Sequence, residues 1–385
     1  MKIDDKTSHN SPSLRFPEFT GEWEKCKLGT LATKVGSGST PKGGDAVYTS
    51  IGHYFVRSQN VGMGFLMLDN IAHINDDIHQ KHKATEIYEN DVLLNITGAS
   101  IGRTAVATKE LEGGNVNQHV CIIRTNSKVN PKFLCDYIQT QRIQNHIKSL
   151  QTGGSREGLN FEQIRSFPIS LPSINEQNKL TCLLDKINER IATQVRLIDR
   201  LQSLMKGIRH RIINEAKGKI VCLCEVSDIY QPQTISSADL TETGYPVYGA
   251  NGIIGHYTSY NHEAEQVCIT CRGNTCGGVN YTKSKSWITG NAMVVNVDRY
   301  QNIVSKRYLY HYLSNCDFNS IISGSGQPQI VRAPLAKFKI ILPTVMQQYK
   351  IAHCLDVIQN KINVNSNILN LLIRQKQYLL RKMFI

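Results

Sequence analysis

The sequence predicts an α+β fold in which two mixed, strand-rich domains are joined by two long antiparallel coiled-coil helices, with an internal pseudo-twofold repeat. Leu171-Pro172 recurs as Leu342-Pro343, an offset of 171 residues (342 minus 171), and the same heptad pattern follows each pair. The segment before each helix contains short apolar runs separated by glycines, which is typical of strands and turns.

In chain order, the polar segment 1–13 is predicted to be a flexible tail, because it carries no apolar run that could pack or direct secretion. The remaining predicted boundaries are a first strand-rich domain at 14–172, a central coiled-coil helix at 173–218, a second strand-rich domain at 219–343 and a C-terminal coiled-coil helix at 344–385. Ser173 and Glu176 have the spacing of a capping box at the start of the first helix, and Gly218 is the expected stop.

The helices are predicted from apolar side chains that recur every three and four residues for more than four heptads. The seam consists of Leu184, Ile187, Ile191, Gln194, Ile198 and Leu201 in the first helix, and Leu355, Ile358, Ile362, Asn365, Leu369 and Leu372 in the second. Gln194 and Asn365 hold the same heptad position near the helix midpoints. They are expected either to face each other and fix the register or to be partly exposed polar residues in an imperfect seam.

The two strand-rich domains also repeat each other, more faintly than the helices do. Asn95 to Gly102 matches Thr270 to Gly277, and the helical turn at 133–138 matches the turn at 308–313. The first domain is longer, mostly around residues 40 to 90. A shared scaffold with divergent loops suits a pair of recognition domains for different targets, although a duplicated structural protein would look the same.

Composition points to nucleic acid as a partner. The 385 residues carry a net charge of +13, and a basic surface gains free energy when it neutralises phosphates and releases counterions. A basic protein of no special affinity is the alternative. The 11 scattered cysteines suggest a reducing compartment, and no apolar run is long enough for a membrane span. We therefore expect a cytoplasmic protein.

Catalytic signatures are absent from the sequence. The glycine-rich stretch at 36–42 lacks the Gly-Lys-Ser/Thr ending of a phosphate loop. Cys268, Cys271 and Cys276 have a metal-like spacing, but a zinc site needs four convergent ligands, and strand cysteines without a special role are the alternative reading. We predict no catalytic residue and no metal ligand, and we interpret the chain as a binding protein.

DNA bases are read by Arg, Lys, Asn, Gln, Ser and Thr, and glycines let the backbone approach phosphates. The predicted loops contain many such side chains, although for any single one of them ordinary loop chemistry is the favoured alternative. The candidates are Ser37, Ser39, Thr40, Lys42, Arg57, Gln59, Asn60, Ser100, Arg103, Gln118 and Arg156 in the first domain, and Tyr248, Asn251, Arg272, Asn274, Gln327 and Gln329 in the second.

At this point the chain resembles the specificity subunits of type I restriction–modification systems over essentially its whole length. The resemblance rests on a combination of stretches, none of them specific alone. They are Leu14-Arg15-Phe16-Pro17-Glu18-Phe19 with Gly21-Glu22-Trp23, Arg57-Ser58-Gln59-Asn60-Val61, Tyr245 to Gly255, Gly324 to Ile330, and the two Leu-Pro pairs followed by Glu176-Gln177 or Gln347-Gln348.

The resemblance implies two target-recognition domains, each reading one half of a bipartite double-stranded DNA target, with the helices setting the spacer between the halves. It implies two methyltransferase subunits, which carry S-adenosylmethionine, and two ATP- and Mg-dependent restriction and translocase subunits. It implies no cofactor and no catalytic residue on this chain. Helices of about 33 seam residues would measure about 50 Å, comparable with one to one-and-a-half turns of DNA.

Two alternatives remain at the sequence level. The chain could be a stand-alone DNA-binding scaffold, or the recognition subunit of a bipartite-cutting system whose nuclease is fused to its methyltransferase. A subunit that needs a partner should expose an apolar docking surface. Leu183, Val195, Leu197 and Leu204 lie off the seam and either form such a surface or pack against their own domain.

Overall fold

The computed structural model describes residues 10–151, 158–250, 252–324 and 326–385, without the side chain of Asp45. Its internal contacts divide the chain into two compact units. Unit 1 comprises Met1–Thr193 with Leu369–Ile385, and unit 2 comprises Gln194–Ile368. Each long helix therefore contributes one half to each unit.

Unit 1 is a mixed α and β structure whose elements run, in chain order, β1 Glu24–Lys27, α1 Leu28–Leu31, β2 Ala32–Ser37, β3 His53–Val56, β4 Ala72–Ile74, α2 Asp76–Lys81, β5 Val92–Asn95, β6 Thr104–Val106, β7 Asn115–Val116, β8 Val120–Thr125, α3 Pro131–Ile138, α4 Gln141–Gln151, α5 Phe161–Arg165, β9 Pro168–Leu171 and α6 Ile174–Glu215. Its sheets have the strand orders β2-β8-β5-β6, β4-β3-β7 and β1-β9. All pairings are antiparallel except the parallel pair β3 and β7.

The central strands of unit 1 bury both faces. Along β5, Val92 and Leu94 join the core around Trp23, whereas Leu93 between them joins a second core. This alternation follows the two-residue period of a strand. Because both faces are covered, β5 and its neighbour β8 read in the sequence as continuous apolar runs.

Unit 2 repeats this order with β10 Lys219–Cys222, α7 Leu223–Val226, β11 Asp228–Tyr230, β12 Tyr245–Gly249, β13 Gly252–Tyr257, β14 Val267–Thr270, β15 Val279–Tyr281, β16 Trp287–Ile288, β17 Ala292–Asn296, α8 Lys306–Leu313, β18 Ile322–Ser323, β19 Gln329–Ile330, α9 Arg332–Ala336, β20 Lys339–Leu342 and α10 Val345–Met383. The strand orders are β11-β17-β14-β15, β13-β12-β16 and β10-β20, with the added hairpin β18-β19. These are the sheets of unit 1 in the same topology, so the faint repeat between the domains is confirmed.

Short 3-10 helices lie at Gly44–Val47, Ser58–Asn60, Lys83–Thr85, Gly98–Ser100 and Lys109–Leu111 in unit 1, and at Ser237–Asp239, Asp298–Tyr300 and Asn319–Ile321 in unit 2. Within the described residues, no helix is both long and apolar enough to cross a bilayer.

The predicted long helices are confirmed as α6 and α10, but the capping box at the start of α6 is wrong. Ser173 Oγ does accept from the backbone N–H of Glu176 at 3.4 Å. The carboxylate of Glu176 does not return to the cap. It binds the Arg15 guanidinium through two contacts of 2.7 Å and accepts from Trp23 Nε1 at 3.3 Å. The hydrogen-bonded ion pair of Glu176 with Arg15 is more stable than a bond from Glu176 to the Ser173 backbone, because both of its partners are ionised and sheltered from water.

In unit 2, α6 and α10 pack through a cluster of seam residues: Met205, Leu355 and Ile362, with Leu201, Ile208, Ile351 and Ile358 around them. Gln194 Nε2 donates to Asn365 Oδ1 at 2.6 Å and to the Asn365 carbonyl at 3.1 Å. The start of the α6 segment in unit 2 thus meets the end of the α10 segment, so the two helices run antiparallel. All twelve predicted seam residues are buried or half-buried along the two helices.

In unit 1, the first turns of α6 and the last turns of α10 enter the same core, where Leu180 and Leu184 join Leu380 and Met383. Leu183 packs against this core, so the docking interpretation is wrong for that residue. Val195, Leu197 and Leu204 are exposed by 40%, 40% and 51%.

The N-terminal segment differs from the predicted tail. Residues 1–9 lie outside the described residues. In the rest of the predicted tail, the Asn10 carbonyl accepts from Trp23 N at 2.9 Å, and Ser13 Oγ donates to the Lys382 carbonyl at 3.3 Å. The prediction of a flexible segment is therefore wrong for residues 10–13, because Trp23 and the end of α10 supply backbone partners.

Candidate nucleic-acid interface

The loops that carry the predicted DNA contacts of unit 1 meet at one edge of its sheets. Gly38 N donates to the Asn117 carbonyl at 3.1 Å, and Asn117 N donates to the Val56 carbonyl at 3.1 Å. A Cβ at Gly38 would lie 1.7 Å from the Val116 carbonyl oxygen, so the close approach of these segments requires glycine. The loops that follow β2, β3 and β7 therefore form one surface.

A chain of side-chain hydrogen bonds runs across this surface. Thr40 Oγ1 donates to Gln118 Oε1, and Gln118 Nε2 lies 3.1 Å from His119 Nε2. On the other side of the ring, Thr97 hydrogen-bonds His119 Nδ1. Thr97 and His119 were missed by the sequence analysis. Two features of the sequence could have identified them: His119 is next to the predicted Gln118, and Thr97 directly precedes a glycine turn.

The predicted side chains of this edge differ in access to solvent. Those of Ser39, Thr40, Lys42, Gln59, Arg103 and Gln118 are exposed, and those of Ser37, Arg57 and Ser100 are half-buried. Ser39 Oγ lies 3.0 Å from His82 Nδ1. The Arg57 guanidinium lies 5.3 Å from the Tyr48 ring centroid. Arg156 lies outside the described residues.

Unit 2 brings its own candidates together through two paired loops. Gly273 N donates to the Pro328 carbonyl at 3.0 Å, and Ile330 N donates to the Cys271 carbonyl at 3.0 Å. The backbone bridge between Arg272 and Gln329 lies between these bonds. The side chains on the paired loops are exposed, namely Arg272, Asn274, Gln327 and Gln329. Asn251 lies outside the described residues.

The same glycine turn shapes both edges. Gly98 and Gly102 have φ of +68° and +83°, and Gly273 and Gly277 in the matching places have +86° and +90°. Residues other than glycine rarely adopt this backbone conformation. Unit 1 therefore holds Arg103, and unit 2 holds Arg272, at a glycine turn of the same conformation. The residues around the two turns differ.

Two predicted base contacts are wrong because their side chains are buried and already bonded. Asn60 is 3% exposed; its Oδ1 accepts from Arg57 N at 3.0 Å and its Nδ2 donates to the Met67 carbonyl at 2.9 Å. Tyr248 is 6% exposed, and its hydroxyl accepts from Lys283 N at 3.1 Å. Both side chains are buried and hold the loops in place through these bonds, so neither is exposed to reach a base edge.

The cysteine cluster does not converge. Cys268 belongs to one apolar core of unit 2 and Cys271 to another. Burial raises the pKa of the Cys268 thiol to about 12 and also raises that of Cys271, which disfavours the thiolate that metal binding needs. Within the described ranges, no group of three or more His, Cys, Asp or Glu side chains is placed to hold a metal ion.

Known proteins share both this sequence pattern and this fold. The family model described as the type I restriction modification DNA specificity domain matches residues 20–203 and again residues 216–374. The type I restriction enzyme EcoprrI specificity subunit of Escherichia coli is 26% identical over 291 residues, which cover 70% of this chain and 71% of that protein.

Among solved structures, the type I restriction-modification S subunit from M. genitalium matches with a TM-score of 0.67 at 16% identity, covering 97% of this chain and 99% of that one. A chain from a structural study of complex assembly and conformational transition in the type I R-M system matches with a TM-score of 0.55 at 19% identity, covering 94% and 97%. With two matches of one family model spanning nearly its whole length, this chain belongs to the type I restriction modification DNA specificity family.

Proposed function

We propose that this chain is the DNA sequence-specificity subunit of a type I restriction–modification complex, in which unit 1 reads one half of a bipartite target and unit 2 reads the other. The observation that carries the proposal is the duplicated edge. Two units of one topology each present exposed polar side chains on a glycine turn of the same construction, with different residues around Arg103 and Arg272.

The proposed recognition follows from the chemistry of these edges. The net charge of +13 attracts the DNA backbone, and lysines such as Lys42 bind phosphates without reading bases. Arginine can form two hydrogen bonds with guanine in the major groove, and glutamine or asparagine can do so with adenine. The exposed Arg103, Gln118, Arg272 and Gln329 are therefore the side chains we expect to reach base edges.

We propose that the chain supplies recognition as a non-catalytic component and that the chemistry belongs to its partners, two methyltransferase subunits and two restriction and translocase subunits in the cytoplasm. S-adenosylmethionine, ATP and Mg would bind those partners. The methyltransferases would turn the target adenines out of the duplex to reach them. An exposed apolar stripe in unit 2 supports docking of a partner helix; it consists of Leu197, Leu204, Val357, Val364 and Ile368, exposed by 40% to 56%.

Mapping methylated adenines genome-wide after co-expression with a methyltransferase subunit tests the proposal. We expect a split motif with a fixed gap, methylated once in each half. The variant Arg272→Ala should relax or lose selection in one half only, because a bidentate arginine contributes about 1–3 kcal/mol of base discrimination. Arg299→Ala, an exposed arginine of unit 2 paired with Asp228, is the matched control. A contiguous motif, or equal loss in both halves, would contradict the proposal.

The helices are proposed to set the spacer of the target. Seven residues inserted at matched seam positions of α6 and α10 keep the heptad register and add about 10 Å at 1.5 Å per residue. We expect a longer spacer between two unchanged half-sites in the methylation map, and a four-residue insertion that breaks the register is the control. An unchanged spacer after the heptad insertion would show that the helices do not measure it.

A further inference from the structure

Unit 1 contains a cavity that neither the recognition edge nor the helix seam accounts for. It has a volume of about 330 Å³ and lies between the loop after Val61, the edge strand β6, α3 and α6. Its apolar lining includes Phe65, Leu66 and Leu68. Its charged lining is Asp136, Asp185 and Glu110, with Lys132 as the one basic side chain.

Asp136 is the unusual member of this lining. It is 5% exposed, and its described hydrogen bond is a 3.3 Å contact from Gln139 Nε2 to one carboxylate oxygen. The second oxygen has no partner among the described residues and belongs to a side chain that lines the cavity. Such a buried carboxylate is costly unless a donor approaches it.

The charged groups around Asp136 do not supply that donor. Lys132 is paired with Asp185 at 2.7 Å. Lys376 Nζ donates to Gln139 Oε1 at 3.1 Å, and Glu110 accepts from the Tyr54 hydroxyl at 3.2 Å. Burial, reinforced by the charge of Asp185, raises the pKa of Asp136 to about 7, against the opposing effect of the two lysines. An incoming cation would restore the ionised form.

The repeat in unit 2 shows what fills this place there. α8 corresponds to α3, which aligns His311 with Asp136, Arg307 with Lys132 and, on the long helices, Asp356 with Asp185. His311 Nε2 lies 2.7 Å from Asp356 Oδ1, and Arg307 Nη2 lies 2.7 Å from the same oxygen. Unit 2 thus supplies two donor side chains, Arg307 and His311, to one carboxylate. The matching positions in unit 1 hold two carboxylates, Asp136 and Asp185, but one charged donor, Lys132, which is paired with Asp185. Asp136 therefore lacks a charged donor.

The loop that brings Phe65 into the cavity lining suits a protein partner. Met63, Phe65 and Met67 project from one loop with 39%, 56% and 39% of their surface exposed. The loop is anchored by Gly64 N to the Thr104 carbonyl at 2.7 Å. Exposed methionines and an aromatic ring are adaptable anchors at interfaces. The three carboxylates of the lining outnumber its single lysine, which disfavours DNA, and an aromatic ring beside carboxylates attracts a cation.

We propose that this cavity binds an arginine side chain presented by a partner protein, with the guanidinium stacked on Phe65 and donating to Asp136. Arginine fits better than lysine because its planar group stacks on a ring and offers two parallel donors to a carboxylate. Unit 2 fills the equivalent place with His311, so the partner docks on unit 1 alone. This surface is separate from the proposed DNA edge and does not depend on it.

The test uses N-acetyl-arginine amide as the probe and N-acetyl-citrulline amide, its uncharged isostere, as the matched control ligand. Amide chemical shifts of the full chain are followed by NMR during each titration. We expect saturable shifts at Phe65, Asp136 and Gln139 with the arginine probe only. Because the ionised fraction of a carboxyl with a pKa of about 7 rises from about one eleventh at pH 6 to ten elevenths at pH 8, the affinity should rise about tenfold.

Asp136→Asn should abolish this binding while raising stability, so its failure to bind cannot be attributed to misfolding. Phe65→Ala should weaken binding about threefold, the loss expected for an exposed cation–π contact. Asp77→Asn, an exposed acid on α2, is the control variant and should bind as the wild type does. Equal responses to the two ligands, or a response that survives in Asp136→Asn, would overturn the proposal.

Discussion

Gln177→Ala should lower the free energy of unfolding of unit 1 by about 3–5 kcal/mol, because it leaves several buried backbone groups without partners at about 1–3 kcal/mol each. Gln177 is fully buried. Its Oε1 accepts from Asn130 N at 2.8 Å, and its Nε2 donates to the carbonyls of Lys128 and Pro172 at 3.1 and 2.9 Å. One side chain thus joins the start of α3 to the start of α6.

Chemical denaturation of the variant beside the wild type checks this prediction, with Asn175→Ala as an exposed control in the same helical turn. The control should change stability by no more than about 0.5 kcal/mol. Unit 2 offers a second test, because Gln348 makes the same three bonds, to Ser305 N and to the carbonyls of Ile303 and Pro343. A loss under about 1 kcal/mol at both glutamines would show that water replaces these bonds.

Asp136→Asn should stabilise unit 1, and the gain should grow with pH. The folded-state pKa of Asp136 is raised to about 7 from 3.8. Below pH 3.8 both states are protonated and the carboxyl has no effect. Between pH 3.8 and 7 the unfolded chain releases its proton while the folded chain keeps it, so stability falls as pH rises. Above pH 7 the penalty is constant, at most about 4 kcal/mol. Asparagine keeps the shape and never carries the charge.

Urea unfolding of Asp136→Asn and wild type at pH 5 and pH 8 measures this effect. The advantage of the variant should be about 2–3 kcal/mol larger at pH 8 than at pH 5. Asp77→Asn, which removes an exposed acid on α2, is the comparison variant. An advantage that is equal at the two pH values would mean that Asp136 titrates as an ordinary surface aspartate.

The long helices and the repeat were accessible from sequence because they depend on local order. The heptad spacing predicted a helix at 173–218, and α6 spans Ile174–Glu215. The matched glycines at 98 and 273 predicted matched turns, and both have positive φ. Side-chain period and glycine conformation are properties of adjacent residues, so they do not require knowledge of the fold.

The polar side chains were less accessible. Asn60 was predicted either as a base contact or as a turn former, and it is buried and bonded to Arg57 and Met67. Glu176 stood in a capping box, yet Arg15, 161 residues away, takes its carboxylate. Asp136 was not singled out in the sequence, yet it is buried and lines a cavity. The deciding partner of Glu176 is distant in sequence, and the burial of Asn60 and Asp136 depends on other segments that pack around them.

The sequence by itself determined the long helices, the duplicated order of strands and the glycine turns between them. All of these follow from periodicity, glycine placement and a repeat that is visible along the chain. Only the tertiary structure decided which polar groups are already bonded, which face solvent, and that unit 1 holds a carboxylate where unit 2 holds His311. A hydrogen bond or a desolvated charge depends on every neighbouring atom within a few ångströms, and long-range packing alone brings those neighbours together.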